Sequence, residues 1–161
     1  MHILRSYEHS LHNSVNLFRR DIEHCWSKTT AYEHIGSNGS PEGQCLVTSR
    51  LLQEVLNLQG LKNGLIVSVG RVSMNGCVVI PYHAWLEDEE GFIVDVTADQ
   101  TPSISYSVIA NQRSIIESLG IEYGLSIKSK PNLNIPSSIE EARFLELKSV
   151  YDSIKRLRTE A

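Results

Sequence analysis

Cys77-Val78-Val79-Ile80-Pro81-Tyr82-His83-Ala84-Trp85-Leu86-Glu87, then Asp88-Glu89-Glu90-Gly91, then Phe92-Ile93-Val94-Asp95-Val96-Thr97 is the stretch that sets the architecture. Two runs rich in β-branched and aromatic residues, joined by a short acidic turn ending in glycine, predict an antiparallel hairpin with strands at Cys77–Glu87 and Phe92–Thr97. Each run is interrupted by one polar side chain, His83 in the first and Asp95 in the second. The two lie about equally far from the turn, so the hairpin places them roughly opposite each other, where a lone carboxylate and a lone imidazole satisfy one another.

Working outward, Met74-Asn75-Gly76 joins the hairpin to a third strand at Leu65–Val72, and so short a connection again makes the neighbours antiparallel. Upstream, Val47, Leu51, Val55 and Leu58, with Leu52 and Leu56 beside them, mark one face of a helix ending near Gly60, with Cys45 in its first turn. A loop from Thr29 to Gly43, dense in Gly, Ser, Asn and Pro, delivers that helix. Before it, Leu11, Val15, Phe18, Ile22 and Cys25 recur at helical spacing, which predicts an amphipathic helix over residues 8–26 with Arg19, Arg20 and Glu23 on its wet side. Downstream, residues 102–131 admit a helix around Val108–Leu119 and a strand around Ile121–Ile127. A last helix is signalled by Ser138 with Glu141 three residues on, a capping-box pattern, followed by the stripe Leu147, Val150, Ile154 and Leu157. Lys155, Arg156 and Arg158 near its end suit the helix dipole.

The chain of 161 residues has the length of one domain, 1–161, and no repeat or linker divides it. With 41% hydrophobic residues, 21% charged residues and a net charge of −4, it reads as a soluble globular protein with no electrostatic pull toward nucleic acid or anionic lipid. No apolar run reaches the roughly 20 residues of a membrane span, and the polar start MHILRSYEHSLHNSV does not resemble a signal peptide, so the expected location is cytoplasmic. Cys25, Cys45 and Cys77 are odd in number and lack C-x-x-C spacing, which favours reduced thiols over a disulfide framework.

A helix amino terminus presents unpaired N–H groups and partial positive charge, which favour a thiolate at Cys45 and can hold a developing oxyanion. Against this stands the ordinary role of a single buried cysteine as a small apolar filler. His83 reads either as a hydrogen-bonded core histidine or as the base that takes the Cys45 proton. Strand alternation puts Trp85 on the same face as His83, where its indole would wall a pocket. Cys25 fits the stripe of the first helix and Cys77 opens a strand, so both read as structural. A zinc site drawn from His24, Cys25, His34, Cys45 or His83 lacks any recognised ligand spacing, and no cofactor is expected.

Gly43-Gln44-Cys45, then His83-Ala84-Trp85, then Asp95-Val96-Thr97, in that order on helix, strand and strand, resembles the core of the transglutaminase-like superfamily of papain-fold cysteine enzymes. The resemblance covers about residues 26–100, and Leu46 stands where the family has an aromatic residue. It implies an α+β fold with a papain-like, transglutaminase-like core: a catalytic-cysteine helix packed on an antiparallel β-sheet, with additional N- and C-terminal helices. It implies Cys45 as nucleophile, His83 as general base and acid, and Asp95 as the group that orients the histidine. For the oxyanion, the backbone N–H of Cys45 is the first candidate donor, with Gln44, Trp26 and Asn38 as candidates for a second; Trp26 equally reads as core and Asn38 as a turn residue.

The function expected is therefore that of a cysteine-dependent hydrolase or acyl transferase acting on an amide or peptide bond of a peptide or protein substrate through a thioester, most simply a peptidase. Glutamine deamidation and transamidation follow the same cycle, and a catalytically inactive protein-interaction domain is the rival from another class. Oligomeric state is left open by the sequence.

Overall fold

The computed structural model describes residues 6–27, 29–31, 39, 43–128 and 137–160. In chain order these form α1 (Ser6–Ile22), α2 (Cys45–Gln59), β1 (Ile66–Met74), β2 (Cys77–Glu87), β3 (Phe92–Asp95), a 3-10 turn (Ala98–Gln100), β4 (Ile109–Gln112), α3 (Arg113–Ser118), β5 (Ile121–Lys128) and α4 (Ser137–Glu160). The protein is thus α+β: four helices and a curled five-stranded sheet in the order β4-β3-β2-β1-β5, with every neighbouring pair antiparallel.

Alternation along the strands divides the core in two. Leu86, Val94 and Phe92 join Leu11, Val15, Phe18 and Ile22 of α1, Val47, Leu51, Leu52 and Leu56 of α2, and Phe144, Leu147 and Tyr151 of α4. Trp85 and Ile93, one position out of phase, pack with Val72, Ile109, Ile116, Ile121 and Tyr123. The first core explains why the helices are amphipathic. The second explains why β2 and β3 carry large apolar residues at successive positions, since both of their faces are covered.

Several expectations are corrected. The first helix stops at Ile22, and Glu23–Cys25 form a turn, so Trp26 lies beyond the helix. β3 ends at Asp95 because the chain turns there, with the Asp95 side chain accepting from the Thr97 N–H. The helix expected over Val108–Leu119 is instead β4 followed by the short α3, because Ile109–Gln112 complete the sheet by pairing with Phe92–Asp95. Arg19 is not on a wet face: it is buried, at 6% exposure. Its guanidinium grips Asp99 through two bonds of 2.6 and 2.9 Å, donates to the Val96 and Ser107 carbonyls, and lies over the Trp26 ring. The α4 helix begins at Ser137, and Glu141 pairs with Arg50 of α2 at 3.1 Å. Lys155 and Arg158 both pair with the buried Asp21 of α1. Most of the loop expected from Thr29 to Gly43 lies outside the described residues. Among those described, no helix is long and apolar enough to cross a membrane.

Candidate active site

Cys45 is the first residue of α2. Gly43 delivers it, with φ +76, a left-handed turn that a side chain would strain. Gln44 is the N-cap residue, yet its side chain makes no cap hydrogen bond. The first N–H groups of α2, that of Cys45 included, therefore have no side-chain acceptor from the cap.

The carboxamide of Gln44 is fully buried and ties down the approaching chain. Nε2 donates to the Ser27 carbonyl at 2.9 Å, and Oε1 accepts from Thr30 Oγ1 at 2.7 Å. A primary amide has two N–H groups, and this structural bond uses one of them.

α2 runs alongside β1 and β2. Ser49 Oγ donates to the Ala84 carbonyl, and Gln53 donates to the Leu65 carbonyl one turn on, which brings the amino end of α2 to the level of His83. β3 pairs with β2 only at Leu86 and Glu87, so the part of β2 that carries His83 is not laddered to β3. Cys45 interacts with the His83 ring at that level and favours its charged form.

The ring itself is fixed. His83 is 1% exposed, and its Nε2 lies 2.7 Å from Asp95 Oδ2. Asp95 is equally enclosed; burial opposes its charge, but the positive His83 ring, the His83 and Tyr123 hydrogen bonds and the Thr97 N–H hold its pKa below the ordinary carboxylate value. An ionised carboxylate only accepts, so Nε2 carries a proton and donates it to Asp95. The other nitrogen, Nδ1, is buried and has no hydrogen-bond partner among the described residues. It is the ring atom left to exchange a proton with sulfur. Burial alone would lower the pKa of His83, but the Asp95 charge and hydrogen bond, with Cys45 adding to them, raise it from 6.5 to about 10. The direction of this shift favours the protonated ring at neutral pH.

Asp95 accepts four hydrogen bonds. Oδ1 takes the Thr97 N–H and hydroxyl at 3.0 and 3.3 Å, and Oδ2 takes His83 and the Tyr123 hydroxyl, the latter at 2.6 Å. The spacing Asp95-Val96-Thr97 is thereby explained as a turn in which the threonine fixes the far carboxylate oxygen.

Of the remaining sequence candidates, Trp26 is corrected. Its indole N–H donates to Thr48 Oγ1 at 2.9 Å inside the helical core, and an indole has no second donor to offer an oxyanion. Trp85 is fully buried, so it does not face an open pocket; it stacks beside His83 with centroids 6.1 Å apart and donates to Glu87. It acts as a rigid backing for the imidazole. Asn38 and His34 lie outside the described residues. His24, Cys25, Cys45 and His83 form no metal-holding cluster, and among the described residues no group of three or more His, Cys, Asp or Glu side chains does. Cys25 is buried and its thiol is pushed up to about 11 by burial and by Asp21, while Cys77 is exposed.

Sequence reasoning missed Tyr123. It sits in Glu122-Tyr123-Gly124 with no local cue, and only the pairing of β5 with β1 brings it across to Asp95. No family model matches this chain, and neither does any curated protein or solved structure.

Proposed function

We propose that this protein is a cysteine-dependent acyl-transfer enzyme with a papain-like core of the transglutaminase-like kind, and that it hydrolyses an amide or peptide bond. Cys45 is the nucleophile, His83 the proton carrier and Asp95 the group that holds the ring. The observation that supports this is the buried His83–Asp95 pair, whose outer nitrogen is left for Cys45 at an uncapped helix amino terminus.

In this reading sulfur, having passed its proton to His83 Nδ1, attacks the substrate carbonyl carbon. The carbonyl electrons move onto oxygen, where the Cys45 N–H and a second donor, for which the Gln44 carboxamide is the candidate, hold the charge. As the tetrahedral adduct collapses the C–N bond breaks, and the Nδ1 proton goes to the departing amine, leaving a thioester. Water then attacks the thioester carbonyl while Nδ1 takes its proton, and the C–S bond breaks to release the acid and restore the imidazolium–sulfur pair. An amine in place of water gives transamidation, and a glutamine carboxamide in place of a peptide bond gives deamidation.

A second reading rests on a separate observation. A cavity of about 280 Å³ is lined by His12, Asn16, Tyr106, Val108 and residues of β4, α3 and β5, and it is not lined by Cys45, His83 or Asp95. A catalytically silent binding module using that cavity is the alternative.

Intact-mass labelling with a thiol-directed acyl ester separates the two. The enzyme reading expects one acyl group on Cys45, slow or absent in Cys45→Ala and His83→Ala, followed by loss of the group in water. Labelling at Cys77 alone, indifferent to His83, sinks it.

A further inference from the structure

The Tyr123 hydroxyl donates at 2.6 Å to Asp95 Oδ2, the same oxygen that takes the His83 Nε2–H at 2.7 Å. We infer that Tyr123 is a positioning residue that sets the strength of the Asp95–His83 hydrogen bond and thereby governs how readily His83 hands its proton to a departing amine. The inference rests on the acyl-transfer reading for its chemistry, but not for its geometry.

Two donors on one carboxylate oxygen draw on the same electron density, so each weakens that oxygen as an acceptor for the other. Without the phenol, Asp95 would hold the His83 Nε2 proton harder, stabilise the imidazolium further and make the ring a poorer acid at Nδ1. With it, part of the carboxylate charge is already satisfied. The phenol is suited to this as a permanent donor: burial and the Asp95 charge push its pKa well above 10, so it does not ionise near neutrality.

Its placement is over-determined. The ring packs edge-on to Trp85 with centroids 4.9 Å apart and lies 6.3 Å from the His83 ring, while Arg113 donates to the Tyr123 carbonyl. The titratable and charged groups facing the cluster are Cys45 from α2, Asp95 from β3, Tyr123 itself from β5, and Arg113 from α3, which is paired with Glu87 of β2 at 2.7 Å. A buried tyrosine needs some acceptor for its hydroxyl. Here it takes the carboxylate oxygen that faces the imidazole, the Thr97 N–H and hydroxyl already occupying the other.

Tyr123→Phe in the full chain removes only the hydroxyl. Two acetyl donors are compared: p-nitrophenyl acetate, whose leaving group departs without a proton, and p-nitroacetanilide, whose leaving group needs one. Acylation by the anilide is expected to fall roughly 10-fold, and acylation by the ester less than about 3-fold. An equal loss with both donors overturns the inference, because a packing defect would slow both. The His83 Nε2–H proton resonance is the second readout, expected to move downfield in Tyr123→Phe. Should Tyr123→Phe not fold, 3,5-difluorotyrosine at position 123, a stronger donor of nearly the same shape, is expected to move that resonance upfield. No movement in either protein also overturns the inference. Wild-type protein that neither donor acylates defeats the acyl-transfer reading instead, and the resonance still decides whether Tyr123 tunes the pair.

Discussion

His83 and Asp95 lie diagonally across the β2–β3 ladder, ring nitrogen 2.7 Å from carboxylate oxygen, each residue 1% exposed. The ladder pairs Leu86 with Val94 and Glu87 with Ile93, so its continuation sets Asp95 opposite Trp85 and leaves His83 two residues further along the same face. A diagonal contact of this kind lets the carboxylate meet the edge of the ring at Nε2 and keeps Nδ1 turned away from it.

That pair makes stability depend on pH in a definite direction. In the unfolded chain His83 loses its proton near 6.5, whereas in the fold it keeps it to about 10, so above 6.5 the native state binds the extra proton. The stabilisation is complete below 6.5 and is lost as pH rises through about 10, with a slope of at most about 1.4 kcal/mol per pH unit for one proton. Cys25 adds a second loss of the same sign only above its unfolded value of 9.0. Chemical denaturation from pH 6.5 to 9 should therefore show stability falling in the wild type, and Asp95→Asn should remove most of that slope. At the acid end Asp95, held below 3.8, contributes stability that disappears as pH falls through its lowered value. A wild-type profile flat from 6.5 to 9 would show that the pair is not charged.

Gly70 stands opposite His83 on β1, at a register irregularity in the β1–β5 pairing. A Cβ at Gly70 would overlap the Gly124 carbonyl oxygen and come within 3.0 Å of Trp85 Cη2, the ring that backs His83. At Gly124 a Cβ would meet Arg71 alone, its Cγ at 3.4 Å, Nε at 3.6 Å and carbonyl oxygen at 3.7 Å, all ordinary contacts. Gly70→Ala is accordingly expected to cost about 3 kcal/mol or more by urea denaturation, and Gly124→Ala less than about 1 kcal/mol. Equal costs would mean that the two strands part without resistance.

How far the sequence shows this arrangement depends on the range of the interactions involved. The β2–β3 hairpin and the placement of Cys45 at the start of α2 are legible because turn chemistry and hydrophobic period are local signals. His83 and Asp95 stand out because each interrupts an apolar run. Tyr123 does not, since aromatic residues are common in strands and its partner is reached only through the β1–β5 pairing. Arg19 is misread for a related reason: helical period places an arginine on the outer stripe, and nothing nearby announces that Asp99 and the carbonyls of Val96 and Ser107 will cover it. The segment 108–119 shows the same limit, because Ile109–Gln112 become a strand only when β3 is there to pair with them.

Arg19 fixes the chain immediately after Asp95, through Val96, Asp99 and Ser107, to α1. Arg19→Lys keeps the charge but loses the fork that grips both Asp99 oxygens, and leaves buried carbonyls without a donor. A loss of about 2–4 kcal/mol is expected by thermal or chemical denaturation. Asp99→Asn, which leaves acceptors in place, should cost less. If Arg19→Lys were as stable as wild type, the network would be incidental to the fold.

Trp26 tests the separation between core and site. Its indole N–H serves Thr48 Oγ1, and its ring is 2% exposed between α1 and α2 with the Arg19 guanidinium over it. Trp26→Phe removes one buried hydrogen bond and some packing volume, which together should lower stability by about 1–3 kcal/mol. Were the indole instead a donor to the oxyanion, the same change would slow Cys45 acylation by about 100-fold or more. Acylation measured well below the melting midpoint is expected to stay within about threefold of wild type. Gln44→Ala supplies the contrast, because Gln44 directly precedes Cys45, the proposed nucleophile. Together the two rates show whether oxyanion stabilisation draws on the residue before Cys45 or on the tryptophan beneath the helix.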